Sequence, residues 1–240
     1  MNENGFFTRG VIYELPHPPV DERTVLIIHE VIGRALDLLR ADPPTGFNLG
    51  SAQEDVVTVH LQWVIENRLR KTGEVAGFDQ RSFGRLWREP KVVSYDGRHL
   101  DKMPDMIFHL NRDSLAVLST EDGLFVECKP VDKTHPAGQD YCDAGLRRFV
   151  DGEYAWAMQD AMMVGYTRDG RTIPEHLVRA LARRQSRLAV KRVPAALATS
   201  RATPRAAAVY CSVHGRKFPW PGARGRACAI RVYHSWHSCS

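Results

Sequence analysis

The chain has 240 residues, 43% of them apolar and 25% charged, an ordinary balance for a globular protein with a substantial core. No apolar run approaches the ~20 residues of a membrane span, and the start, Met-Asn-Glu-Asn-Gly, lacks the basic and apolar regions of a secretory signal. The five cysteines form no C-x-x-C pair, which argues against a disulfide framework; the expectation is a cytoplasmic protein with no membrane partner.

The net charge of +5 is unevenly spread. Of 33 Lys and Arg, 13 follow Glu175, and no Asp or Glu does, so the residues up to Glu175 carry 20 cations against 28 acids. An acidic half joined to a basic half suits a polyanionic partner, nucleic acid foremost. A solvated Arg-rich surface is the plainer alternative.

Taken in order, Phe6-Phe7 and Val11-Ile12-Tyr13 suggest a short strand. Apolar residues recur at helical spacing over 21–40, and Asp42-Pro43-Pro44-Thr45-Gly46 ends that helix. Ser51-Ala52-Gln53-Glu54 is a capping-box pattern that predicts a second helix over 51–70 with Ser51 as its N-cap. Its stripe is Val57, Leu61, Val64 and Leu69. Glu54 falls on the inward face, where it reads equally as the cap partner of Ser51 or as an acid aimed at the interior. Residues 72–90 read as loop, with a basic-aromatic stretch from Arg81 to Arg88. Strands are expected over 91–95 and 103–110 around an Asp96-Gly97 turn, and over 124–130. An amphipathic helix over 140–158, with Tyr154 inward, a buried strand over 161–167 and a helix over 172–192 follow. Thr172-Ile173-Pro174-Glu175 caps that last helix. Beyond Pro194 a linker leads to a strand pair over 206–213 and 227–237. Hairpin strands followed by a strand–helix–strand crossover make an α/β protein with a mixed sheet and helices on both faces.

The chemistry concentrates between Met103 and Pro130. Asp105 heads one apolar run; Glu127 and Lys129, two apart, share a face of another. If the runs pair, an acid meets an acid and an amine. Carboxylates are what an oxygen-seeking ion such as Mg²⁺ or Mn²⁺ requires, with the Cys128 carbonyl as a further ligand. The ion activates water and offsets charge at phosphorus, and a lysine can steer the water or stabilise the phosphate. Three surface residues on a half-exposed sheet are the alternative, although a carboxylate in a run suited to a central strand is costly without a purpose.

Pro104-Asp105 followed by Glu127-Cys128-Lys129 resembles the core of the PD-(D/E)xK nuclease superfamily, the restriction-endonuclease-like fold, and the element order over 51–192 resembles its αβββαβ core. The resemblance implies Asp105, Glu127 and Glu54 as metal ligands, Lys129 as catalytic lysine, and a phosphodiester hydrolase, endonuclease or exonuclease, acting on DNA more than RNA in restriction, repair or defence. A homodimer or a partner protein of the same system belongs with that expectation. The helix after Lys129 has Gln139 and Tyr141 but no Gln-x-x-x-Tyr spacing, a departure from the RecB-like exonuclease branch. A non-catalytic DNA-binding module on the same fold is the competing class.

Three regions are thus expected: an extension over 1–50, a nuclease core over 51–192, and a basic strand pair over 193–240 packed on it. Arg147 and Arg148 are candidate phosphate contacts or ordinary helix-flank charge, with Lys133 and His135 nearby. In the tail, Arg216, Lys217, Arg224 and Arg226 with Phe218 and Trp220 have the cation-and-aromatic mixture that single strands favour, or else the aromatics pack the hairpin. Cys211, His214, His234 and His237 echo zinc spacing, but strand residues three apart face opposite ways.

Overall fold

The computed structural model describes residues 13–112, 117–197, 209–223 and 225–239; the proposed strand around Phe6 and most of the linker lie outside them, as does Arg224. Helix α1 (Glu22–Ala41) starts at Asp21, whose carboxylate accepts from Thr24 N at 2.9 Å. Helix α2 (Glu54–Val64) continues through a wider π-helical turn (Ile65–Leu69) and a last turn at Arg70–Thr72. Its N-cap is Gln53, without a side-chain bond, so the capping box at Ser51 does not form. Asn48 takes that region instead, accepting from Gly50 N through its side chain and from Ser51 N through its carbonyl.

The basic-aromatic stretch is strand β1 (Phe83–Arg88) and not loop. It pairs antiparallel with β2 (Met106–Leu110), Leu86 opposite Phe108 and Trp87 opposite Ile107. The strand expected over 91–95 reduces to a bridge between Val92 and Lys102. A turn does form at Asp96-Gly97, Gly97 N donating to the Ser94 carbonyl at 2.9 Å, but only a short excursion surrounds it. β2 pairs antiparallel with β3 (Gly123–Val131), and β3 pairs parallel with β4 (Asp160–Thr167) through the crossover helix α3. That helix comprises a π-helical stretch, Ala137–Leu146, followed by α-helical Arg147–Asp151. It ends at Asp151, seven residues short of Met158, and the following Gly152, with a φ of +74°, takes the left-handed conformation of a helix C-terminus. Tyr154 therefore lies beyond the helix.

Helix α4 runs through Ile173–Leu177 and Val178–Ala182, with Thr172 capping Glu175 N at 3.4 Å. It does not reach Arg192, because Val190–Ala196 forms strand β5. β5 pairs with β6 (Val209–His214), and β6 with β7 (Ile230–Ser238), both antiparallel. β7 lies parallel to β4 along its whole length. The result is one mixed seven-stranded sheet, ordered β1-β2-β3-β4-β7-β6-β5, so β5, β6 and β7 are three of its seven strands and not a hairpin added to a finished core. β4 is consequently buried at every position, as its apolar sequence requires of a strand paired on both edges.

Part of the tail's charge is spent internally. Asp160, fully buried, accepts from Arg231 Nε at 2.7 Å and Nη2 at 3.0 Å and from Val20 N at 2.8 Å, tying the start of α1 to β7. Among the described residues no helix is long and apolar enough to cross a membrane.

Candidate active site

The ladder between β2 and β3 ends at Met106 opposite Val126, because Pro104 directs the incoming chain away. The next N–H of β3 on that edge belongs to Cys128, and the Asp105 carboxylate takes it, Oδ2 lying 2.5 Å from Cys128 N. Pro130, next on the same edge, has no N–H to satisfy. One local sequence device thus opens the sheet and fills the opening with a carboxylate.

Lys129 lies in that opening. Its Nζ is 2.6 Å from Glu54 Oε1, 3.1 Å from Glu127 Oε1 and 4.0 Å from Asp105 Oδ2. Glu54 arrives from the first turn of α2. Having no cap partner, its side chain is committed to Lys129, which decides between its two sequence readings in favour of the interior. Glu127 is fully buried, and its other contacts come from α3 and the turn after it. Arg148 Nη1 lies 3.1 Å from Oε1, and the Tyr154 hydroxyl donates to Oε2. Helix α3 can sit this close because residue 145 is glycine: a Cβ there would lie 3.4 Å from Glu127 Cγ and Lys129 Cγ and 2.7 Å from Met163 Cε. Arg148 follows one turn later on that face.

Three carboxylates face two cations, and the imbalance shows in their protonation. Burial, with the Glu127 charge beside it, pushes the Asp105 carboxyl up to about 8, against the partial relief that Lys129 provides. Burial likewise raises Glu54, partly offset by Lys129. Burial alone would lower Lys129, but Glu127, Asp105 and Glu54 together hold it above the usual lysine range. At neutral pH Asp105 keeps its proton, which reduces the negative charge gathered around Lys129 and Arg148.

The donor set fits a hard divalent cation, since it supplies carboxylate oxygens and carries surplus negative charge once Asp105 ionises. Among the described residues no three His, Cys, Asp or Glu side chains form a ready-made cage, because the lysine ammonium occupies their centre and acts as the counterion.

The other expected contacts divide. Arg147 pairs with Asp151 at 2.8 Å on the helix exterior, away from the cluster that Arg148 joins. Lys133 is exposed, and His135 closes a loop turn on Asp132 at 2.9 Å. Arg216 and Trp220 are not surface contacts. Arg216 is buried, its guanidinium donating to the carbonyls of Cys228 at 2.8 Å, Trp156 at 3.0 Å and Ala155 at 3.3 Å. Trp220 is 5% exposed and lies beneath that guanidinium, 5.0 Å from it, beside Phe218. A buried guanidinium needs such carbonyls, and the aromatics close the pocket around it. Only Lys217 of that trio is exposed. The zinc-like residues form polar links inside the sheet: Ser212 Oγ lies 2.7 Å from both His214 Nε2 and His234 Nε2, and His237 stacks on His29 at 5.0 Å.

Comparison with protein-family models, curated proteins and solved structures finds no match in any of the three. No relative names this site. Its function has to be argued from the cluster itself.

Tyr154 is the site residue whose role the sequence does not announce: the apolar pattern places it inward but says nothing of a carboxylate partner. Gly152 was the available signal that it leaves the helix.

Proposed function

We propose that the chain is a metal-dependent nuclease of the PD-(D/E)xK type, hydrolysing phosphodiester bonds of nucleic acid, DNA in preference to RNA. The observation that carries this reading is the convergence on Lys129 Nζ, within 4.0 Å, of three carboxylates: one from β3, one from the residue that leads into β2, and one from α2. The Asp105 carboxyl, pushed up to about 8 by burial and the Glu127 charge, supports the reading as a group that a bound cation would relieve. The order α2-β1-β2-β3-α3-β4 supports the same reading, which also makes the fold restriction-endonuclease-like.

Asp105, Glu127 and Glu54 would hold Mg²⁺ or Mn²⁺, with the Cys128 carbonyl on the strand edge that Asp105 faces. The bound cation would lower the pKa of a water and offset charge on the phosphate. Lys129, held protonated by its carboxylate neighbours, suits charge stabilisation of the pentacovalent phosphate better than removal of a proton from water. Arg148, with 39% of its side chain exposed, offers a second cation to a phosphate oxygen. Tyr154 orients Glu127 and keeps its buried oxygen satisfied. Water oxygen bonds to phosphorus as its proton passes to bulk solvent, the bond to the departing sugar oxygen breaks, and that oxygen takes up a proton from solvent.

Plasmid, linear duplex, single-stranded DNA and RNA incubated with Mg²⁺, Mn²⁺ or EDTA test the reading. Cleavage should need the ion and disappear in Lys129→Ala and Asp105→Asn. A wild-type protein that cuts nothing, or variants that cut equally well, would end it.

A further inference from the structure

Arg216 and Trp220 are buried, but the basic-aromatic stretch from Arg81 to Arg88 presents a cation and an indole to solvent. On β1, Arg85 and Trp87 are exposed, Trp87 by 46%, while Leu86 between them is 2% exposed. Both flank the inward-facing Leu86 and are exposed, so charge and indole reach solvent side by side, Arg85 lying in the register irregularity between Phe83 and Leu86. Trp87 is braced edge-on by His109, ring centres 4.5 Å apart at 66°. Such an edge contact fixes the indole while leaving π surface uncovered.

The sheet register places this pair relative to the candidate active site. Trp87 is opposite Ile107, and Ile107 is opposite Phe125; directly opposed residues project from the same face. Phe125, Glu127 and Lys129 alternate along β3 on that face. Trp87 is therefore two strands across and two residues back from Glu127. At ~4.8 Å between strands and ~3.4 Å per residue, that is about 12 Å, the reach of a few nucleotides at ~3.4 Å each along a stacked strand.

We propose that Arg85 and Trp87 form a platform for an unpaired strand, Trp87 stacking on a base and Arg85 engaging a phosphate. The site then takes single-stranded nucleic acid, or the unpaired end of a duplex, in preference to continuous duplex. The reason is that paired bases are already stacked and shielded, and only an unpaired base has a face to offer an exposed indole. The location of the cleaved bond rests on the nuclease reading above; the platform itself does not.

Binding of labelled oligo(dT), oligo(U) and a blunt duplex, followed by fluorescence anisotropy in EDTA, tests the platform without cleavage. Stacking worth ~1–3 kcal/mol per base predicts that Trp87→Ala weakens single-strand binding about 5- to 150-fold. Trp87→Phe should keep most of the affinity, and Arg85→Ala should lower the salt dependence. Duplex binding should be unchanged in all three. Equal single-strand binding by Trp87→Ala and wild type would overturn the proposal, as would a parallel loss for duplex. Should the Ala variant fail to fold, Trp87→Leu, which keeps apolar bulk without a π face, takes its place with the same expected loss. A wild type that binds single strands through Trp87 yet cuts nothing in Mg²⁺ or Mn²⁺ would end the nuclease reading and leave the platform standing.

Discussion

Replacing Asp105 by asparagine should make the metal-free protein more stable at neutral and alkaline pH while removing the cleavage activity proposed above. The carboxyl is raised from 3.8 to about 8 in the fold, first by burial and then by Glu127. Its contribution to stability is therefore complete below the free-chain value and is lost as pH rises through about 8. At pH 7, about 3 units above the free-chain value, keeping this group in the fold costs about 4 kcal/mol at ~1.36 kcal/mol per unit. Asparagine keeps an oxygen for the Cys128 N–H but brings an amide whose burial costs about 1–3 kcal/mol. The net gain is about 1–3 kcal/mol, or roughly 2–10 °C in Tm for a chain of this size. The assay is thermal or urea unfolding in EDTA from pH 4 to pH 9, wild type beside Asp105→Asn. The variant should be the less stable of the two near pH 4, by up to about the amide cost, the curves should cross between about pH 4.5 and 6, and the gap in its favour should grow until about pH 8. An asparagine variant no more stable than wild type at pH 8, or a difference that ignores pH, would refute the account of surplus negative charge.

Three further outcomes follow from the same physics. Mg²⁺ binding at pH 7 should release a proton as Asp105 ionises, read by calorimetry as a dependence of the apparent heat on buffer ionisation enthalpy; Asp105→Asn should abolish that dependence. Asp160→Ala should destabilise the fold by about 3 kcal/mol, because it leaves the Arg231 guanidinium and Val20 N without their acceptor; urea unfolding measures it. His214 is lowered from 6.5 to about 4 by burial, so its contribution is complete above pH 6.5 and lost as pH falls through 4. Urea midpoints should drop over that interval, by up to about 3 kcal/mol at this site, and less in His214→Asn.

The chain's own letters reached the site further than the architecture. Pro104-Asp105 and Glu127-x-Lys129 are local patterns: proline ends a ladder, strand alternation puts Glu127 and Lys129 on one face, and both effects survive any arrangement of distant strands. Glu54 was legible as inward-facing from helical periodicity alone, but its rival role as a cap partner could be settled only by the backbone at Asn48–Gln53. Arg148 and Tyr154 required the third dimension, since their meeting with Glu127 depends on how closely α3 approaches the sheet at Gly145 and where it ends at Gly152.

Composition deceived most in the tail. Arg216 and Trp220 have the residue types of a nucleic-acid contact, yet burial against carbonyls satisfies them, while the equivalent mixture at Arg85 and Trp87, read as loop, is an exposed strand face. Local sequence determined which residues could share a face, because strand and helix periods are properties of the backbone. Which faces met solvent was decided by the tertiary structure. Insertion of β7 beside β4 joined the tail to the sheet, and that pairing lies some seventy residues away in the chain, beyond the reach of any local pattern.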